Sequence, residues 1–147
     1  MEMTPAEVNA FLDERHTLVI ATLRPDGRPH LTTVWYRWDG EVFWISTNRD
    51  RVKYRNIKRD PRVTVLVDAP LRESAVTAYG DAEDVAHDAD AYDGAVAIIS
   101  RYVLDAPKYL AERANEPRVL IRIRPRKVVT WKLEGAAQHV PSYDLYR

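Results

Sequence analysis

The chain has 147 residues, 46% hydrophobic and 30% charged, with 22 basic residues balanced by 22 acidic ones; this is the length and mixture of one folded domain, residues 1–147, and it excludes a disordered chain. Formal charge zero argues against a general nucleic-acid binder, which needs an overall or face-wide basic excess. The absence of cysteine excludes a disulfide framework, a thiol nucleophile and a thiolate metal site, so redox chemistry would need a borrowed cofactor. The acidic, amphipathic start MEMTPAEVNAFLDER is unlike a signal peptide, and apolar runs such as Ala95 to Ile99 fall far short of the roughly 18 residues of a membrane span, so a cytoplasmic protein is expected.

Thr4-Pro5-Ala6-Glu7 is a capping box with proline at the first helical position, which predicts a helix from Pro5 to Arg15. Thr17 to Arg24 is apolar and β-branched, Pro25-Asp26-Gly27-Arg28 is turn chemistry, and His30 to Trp38 resumes a strand, so the two form a hairpin. Asp39-Gly40 folds Glu41 to Thr47 back on the second strand. Asp50 is placed to cap a helix that runs to Arg59 and ends at Asp60-Pro61, because the residue before proline resists the helical region. Arg62 to Val67 and Ser74 to Val85 read as the next strands, with a loop near Pro70 between them and with Gly80 marking a bulge or close backbone approach. Asp81 to Asp93 carries six acidic residues and no Lys or Arg, read as a solvated loop and helix start. Ala89 to Val103 and Pro107 to Ala114 have helical spacing; Val119 to Arg124 and Lys127 to Leu133 are two more strands separated by Pro125. The polar tail after Glu134 is expected to pack late or cross to a partner. Six or seven short strands with hairpin turns and helical insertions fit a closed or split antiparallel barrel.

Between Arg49 and Arg62 stand seven basic residues against two acidic ones. Arg49 and Arg51 fall at the helix entrance, where backbone donors and the positive dipole end converge. Taken alone, this segment admits three readings: a solvated helix, a phosphate site suited to forked arginines and a point-charge lysine, or a nucleic-acid contact. His16, His30, His87 and His139 show no metal-ligand spacing, and no nucleophile elbow or phosphate-binding glycine loop occurs, so no metal site and no catalytic side chain is assigned. Alternation sends Trp35 and Tyr36 to opposite faces, so only one of them can face a pocket.

In order, ATLRPDGRPHLTTVWY, DGEVFWIST, RDRVKYRNIKRDPRVTVLVD and VTAYGDAEDV resemble the pyridoxamine-phosphate-oxidase-like split-barrel superfamily, and most closely its coenzyme F420-dependent oxidoreductases. The resemblance covers roughly Leu18 to Val85 and is weaker through the last two strands. It implies a mainly β fold with peripheral helices, a six-stranded antiparallel split barrel, and a homodimer with a flavin or deazaflavin in a groove at the subunit interface. It matches Arg51 and Lys53 to the cofactor-phosphate binders and Asn56 to the position that holds that helix. Thr32, Thr33, Val34 and Trp35 match the strand segment along the ring system, and Ser46 and Thr47 the strand end beside the phosphate-bearing chain. Arg126, Trp131 and Lys132 are carried over as contacts from the other subunit. The implied activity is hydride transfer between F420 and a conjugated acceptor such as a quinone, enone or tetrapyrrole. FMN, or a non-catalytic binding role, is the alternative. The C-terminal half lacks the substrate-phosphate arginine and histidine pattern of a true pyridoxamine phosphate oxidase.

Overall fold

The computed structural model describes residues 1–14, 16–69 and 73–133. The expected helix end at Arg15, the loop near Pro70 and the tail after Glu134 therefore lie outside the described residues. Helix α1 (Pro5–Asp13) begins at the predicted Thr4 cap, with the Glu7 amide donating to Thr4 Oγ1 at 3.2 Å, but the Glu7 carboxylate pairs with Lys132 rather than completing the box. It is followed by strands β1 (Leu18–Leu23), β2 (Pro29–Val34), β3 (Tyr36–Trp38) and β4 (Phe43–Asn48), helix α2 (Val52–Arg59), and strands β5 (Arg62–Asp68) and β6 (Ser74–His87). A short 3-10 turn (Asp88–Ala91) leads into α3 (Tyr92–Ile99) and α4 (Ala106–Ala111), and β7 (Arg118–Lys132) closes the described chain.

All seven strands form one antiparallel sheet in the order β2-β1-β5-β6-β7-β4-β3. Seven strands rather than six arise because the predicted strand His30 to Trp38 breaks at Trp35. Its first half pairs with β1 and its second half with β4, at opposite ends of the sheet. The two sheet edges are thus consecutive in the chain, and no ladder joins them among the described residues, so the barrel is split along that seam. The predicted break at Pro125 does not occur. Pro125 faces Gly80 at a register shift, and β4 has already ended opposite Ile123, so the missing proline N–H falls on an open edge of a continuous β7.

Alternation along the strands turns Leu18, Ile20, Val65, Val67, Val76 and Ile121 inward, all at most 1% exposed. Tyr36 joins this core, fully buried, its hydroxyl donating to the Leu12 carbonyl of α1 at 2.8 Å; burial pushes the phenol well above its usual pKa. The opposite face of the sheet is different in kind. Leu31, Leu66, Tyr79, Val129 and Trp131 lie on it, all exposed, with Leu31 at 62% and Tyr79 at 47%.

The predicted helix Ala89 to Val103 is a 3-10 turn plus the shorter α3. The acidic block is also placed differently from the solvated loop expected. Asp81, Glu83 and Asp84 lie on β6 and pair with Arg126, Arg122 and Lys58, because the antiparallel partner brings cations to one face of that strand and α2 brings Lys58 to Asp84 on the other.

Candidate functional site

A cleft of about 540 Å³ opens where the two sheet edges fail to meet, within the size range of small-molecule sites. One wall is β2, through Thr32, Thr33 and Val34, continued by Trp35; another is the end of β4, through Ser46, Thr47 and Asn48. Because β2 pairs with β1 alone, its second edge carries backbone donors and acceptors that no neighbouring strand uses. The third wall is the entrance of α2, and the fourth comes from α3 and α4, with Ile98, Ile99, Tyr109 and Arg113. Trp35 takes the cleft side of its alternating pair, its ring stacked on Tyr102 (centroids 4.9 Å apart, planes 6° apart) and packed on Tyr109 at 5.5 Å.

The basic segment resolves residue by residue. Arg49 contacts His87 Nδ1 at 3.1 Å and Asp88 at 3.2 Å. Arg55 donates to the Asp50 carbonyl at 2.9 Å, Lys58 pairs with Asp84 at 3.4 Å, and Arg59 reaches Asn56 Oδ1 at 2.9 Å and the Leu23 carbonyl. Arg62 forks onto Asp60 at 3.0 and 2.7 Å, and these bonds hold the Asp60 carboxyl down to about 2. What is left is Arg51 and Lys53: both line the cleft, and neither has an ion pair or side-chain hydrogen bond among the described residues. Lys53 is half-buried, and that burial, together with the Arg51 charge beside it, lowers its pKa.

The expected cap by Asp50 is not made. The capping position is Arg51, with no side-chain bond to the helix, while the Asp50 amide donates to Asn48 Oδ1 at 2.9 Å. The α2 entrance is therefore left open to an anion, with Val52 and Lys53 on the cleft wall. Thr32 adds a further unmet group, its hydroxyl oxygen buried and without a hydrogen-bond partner among the described residues.

Of the residues singled out from sequence, Thr32, Thr33, Val34, Trp35, Ser46, Thr47, Arg51 and Lys53 come together around this cleft. Asn56 lies behind it, 2% exposed, donating to Thr22 Oγ1 at 3.0 Å and so fastening α2 to β1. Trp131 and Lys132 are not among the cleft residues of their own chain: Trp131 is exposed on the outer sheet face, Lys132 pairs with Glu7 at 2.8 Å, and Arg126 pairs with Asp81. Sequence reasoning missed Tyr109, Arg113, Glu116 and Arg118, which reach the cleft from α4, the turns after it and the start of β7. The four-residue spacing of Tyr109 and Arg113 was the available signal, since helical neighbours at that spacing meet.

Among the described residues, no three His, Asp or Glu side chains converge as a metal cluster, and no helix is long and apolar enough to cross a membrane.

A barrel split along one seam, with anion-seeking groups at the seam, is a split-barrel architecture with a small-molecule cleft. A family model described as pyridoxamine 5'-phosphate oxidase matches residues 4–132, and the chain belongs to that family. Among solved structures it is similar to the conserved hypothetical protein Rv2991 from Mycobacterium tuberculosis, at 32% identity over 95% of this chain and 91% of that one, with a TM-score of 0.76. It is also similar to an F420 reductase, at 31% identity over 82% of this chain and 94% of that one, TM-score 0.68. The Vibrio cholerae heme storage protein HutZ superposes with a TM-score of 0.68 over 90% and 95% of the two chains, but at 20% identity the likeness is one of fold alone.

Proposed function

We propose that the protein is an F420-dependent oxidoreductase that transfers a hydride between coenzyme F420 and a conjugated electrophilic small molecule such as a quinone, an enone or a tetrapyrrole. The observation that carries this reading is the pair Arg51 and Lys53, two uncompensated cations on one cleft wall beside an uncapped helix entrance. Two adjacent like charges, one of them half-buried, destabilise the unliganded protein unless an anion joins them. The cofactor's phosphate is such an anion. When bound, F420 supplies a hydride from ring carbon C5.

The chain's own residues bind and orient. Arg51 and Lys53 hold the phosphate, with Ser46 and Thr47 hydroxyls beside them. The unused edge of β2 and the orphaned Thr32 hydroxyl offer hydrogen bonds to a flat polar ring, while Trp35, backed by Tyr102, walls off water. The 31% identity to an F420 reductase supports F420 as the cofactor. FMN is the second reading, because it too places a phosphate at Arg51 and Lys53. The outer sheet face with Leu31, Tyr79, Val129 and Trp131 is proposed as the homodimer surface, its several large exposed apolar side chains on one face being of the kind that another surface covers. Through it Arg126, Trp131 and Lys132 would approach the partner's cleft.

Titration of the protein with F420 and FMN side by side, followed by a screen of acceptors with the reduced form of whichever binds, tests the reading. Arg51→Ala and Lys53→Ala each weaken F420 by about 1–3 kcal/mol, the range of a lost charge-assisted contact. Unchanged F420 affinity in both variants refutes the phosphate assignment. Tighter FMN binding replaces F420 with FMN, and tight binding without turnover across the screen replaces the enzyme with a binding module.

A further inference from the structure

We propose that Arg113 is the specificity-determining residue of the cleft, the docking point for a carboxylate or similar anionic group on the electron acceptor; this rests on the reading of the cleft as a cofactor and acceptor site. Arg113 lines the cleft from beyond the end of α4, and its guanidinium lies over the Tyr109 ring with Cζ 3.6 Å from the centroid. One nitrogen, Nη1, donates to the Tyr109 carbonyl at 3.0 Å. The stack and this bond fix the plane of the fork. Nε and Nη2 have no hydrogen-bond partner among the described residues, and the contact with neighbouring Glu112, at 3.9 Å between exposed side chains, neutralises little. The other cleft arginine on this side is already compensated: Arg118 meets Glu116 at 3.0 Å and Ser46 Oγ at 3.5 Å. Arg113 is therefore a pre-oriented donor pair in search of an acceptor.

Its position in the cleft says which molecule supplies that acceptor. From Trp35 the wall continues through Tyr109 to Arg113 without a gap, with centroids 5.5 Å apart at the first step and a cation over the ring at the second. This aromatic wall ending in Arg113 is where a planar acceptor bearing a negative substituent finds both a stacking surface and a fork.

The test uses two kinds of probe. Naphthoate and its methyl ester, neither of which accepts a hydride, are titrated into cofactor-free wild type, Arg113→Gln and Arg113→Lys by calorimetry. Wild type prefers the carboxylate by about tenfold, the yield of one charge-assisted contact; Arg113→Gln brings the ratio close to one, and Arg113→Lys restores part of it. With F420 bound, Arg113→Gln raises KM for a naphthoquinone sulfonate and leaves KM for uncharged menadione and the kcat for both unchanged. F420 affinity, read by fluorescence quenching, stays at the wild-type value. An unchanged naphthoate-to-ester ratio in Arg113→Gln overturns the proposal. So does loss of the ratio in Lys53→Ala instead, or a loss of F420 affinity in Arg113→Gln, which would assign the fork to the cofactor. Failure of wild type to bind F420 refutes the cofactor reading and leaves the naphthoate measurement to stand or fall separately.

Discussion

The side chain that fastens the cation-bearing helix to the barrel is Asn56, and its replacement by leucine tests how the site is held. Asn56 Nδ2 donates to Thr22 Oγ1 at 3.0 Å, and both residues are buried, at 2% and 0% exposure. Leucine keeps the volume but removes the bond, worth about 1 kcal/mol, and leaves the Thr22 hydroxyl buried without a partner, a further ~1–3 kcal/mol. The expected cost of Asn56→Leu is therefore about 2–4 kcal/mol, which lowers Tm by roughly 5–12 °C for a domain of this size. Thr22→Val removes the same bond from the other side. Because the double variant orphans nothing between these two positions, it costs less than the sum of the singles by about 1 kcal/mol or more. Urea denaturation of the four proteins, with m-values checked for constancy, gives the cycle. Additive single effects, or an Asn56→Leu cost under ~0.5 kcal/mol, refute the claim that this bond anchors α2.

Lys53 should make binding and stability oppose each other. Burial and Arg51 lower its pKa below 10.5, so the unfolded chain holds this proton more tightly; this group's contribution to stability rises as pH climbs from the lowered value toward 10.5. An anion favours the charged form, so F420 affinity is greatest below the lowered pKa and falls as pH rises through it. Lys53→Met should raise the Tm of the unliganded protein at neutral pH, weaken F420, and abolish the alkaline loss, all readable by melting curves and titrations across pH; a destabilised Lys53→Met contradicts it. A Cβ on Gly80 would stand 2.9 Å from the Arg124 carbonyl carbon and 3.1 Å from Pro125 Cα, all unyielding backbone, so Gly80→Ala should cost ~3 kcal/mol in denaturant titrations. For Gly94→Ala the three nearest atoms to the new Cβ all belong to the movable Leu120 side chain, and the change gains ~1 kcal/mol of helix propensity, so its melting curve should stay close to wild type. Tyr79→Asp places a charge on the outer apolar face proposed as the homodimer surface; light scattering is expected to give a dimer mass for wild type and a monomer mass for the variant, and equal masses contradict use of that face.

Where chain reversals are written in turn residues, sequence and structure agree. Gly27 and Gly40 take φ of +85° and +99° in the two expected hairpins, and Asp60-Pro61 ends α2 where steric exclusion requires. The break at Trp35 has no such mark. Apolar alternation continues through it, and the division between β2 and β3 is decided by which distant strand each half pairs with. The same distance hides the sorting of the seven basic residues. His87, Asp84 and Asp88, which take up Arg49 and Lys58, come from the end of β6 and the turn after it, so the reduction to Arg51 and Lys53 by unmet charge depends on contacts made only in the folded chain. Resemblance pointed to that pair, while Arg113, arriving after two helices that local pattern places only loosely, escaped both kinds of reading.

The joining of both sheet edges through a single residue has a mechanical consequence. A barrel gains rigidity when its last ladder is zipped, and among the described residues that ladder is absent: β2 and β3 diverge from Trp35 and each has one strand neighbour, with the Tyr36 amide and carbonyl engaged by Tyr102 and Arg101 instead. A flat ligand that bonds along β2 takes the place of the missing strand. Occupancy and closure would then be one event, read in the backbone exchange along the seam. Amide exchange in Pro29–Val34 and Tyr36–Trp38 should slow together on binding, while the two-sided ladder of β6 stays as it was.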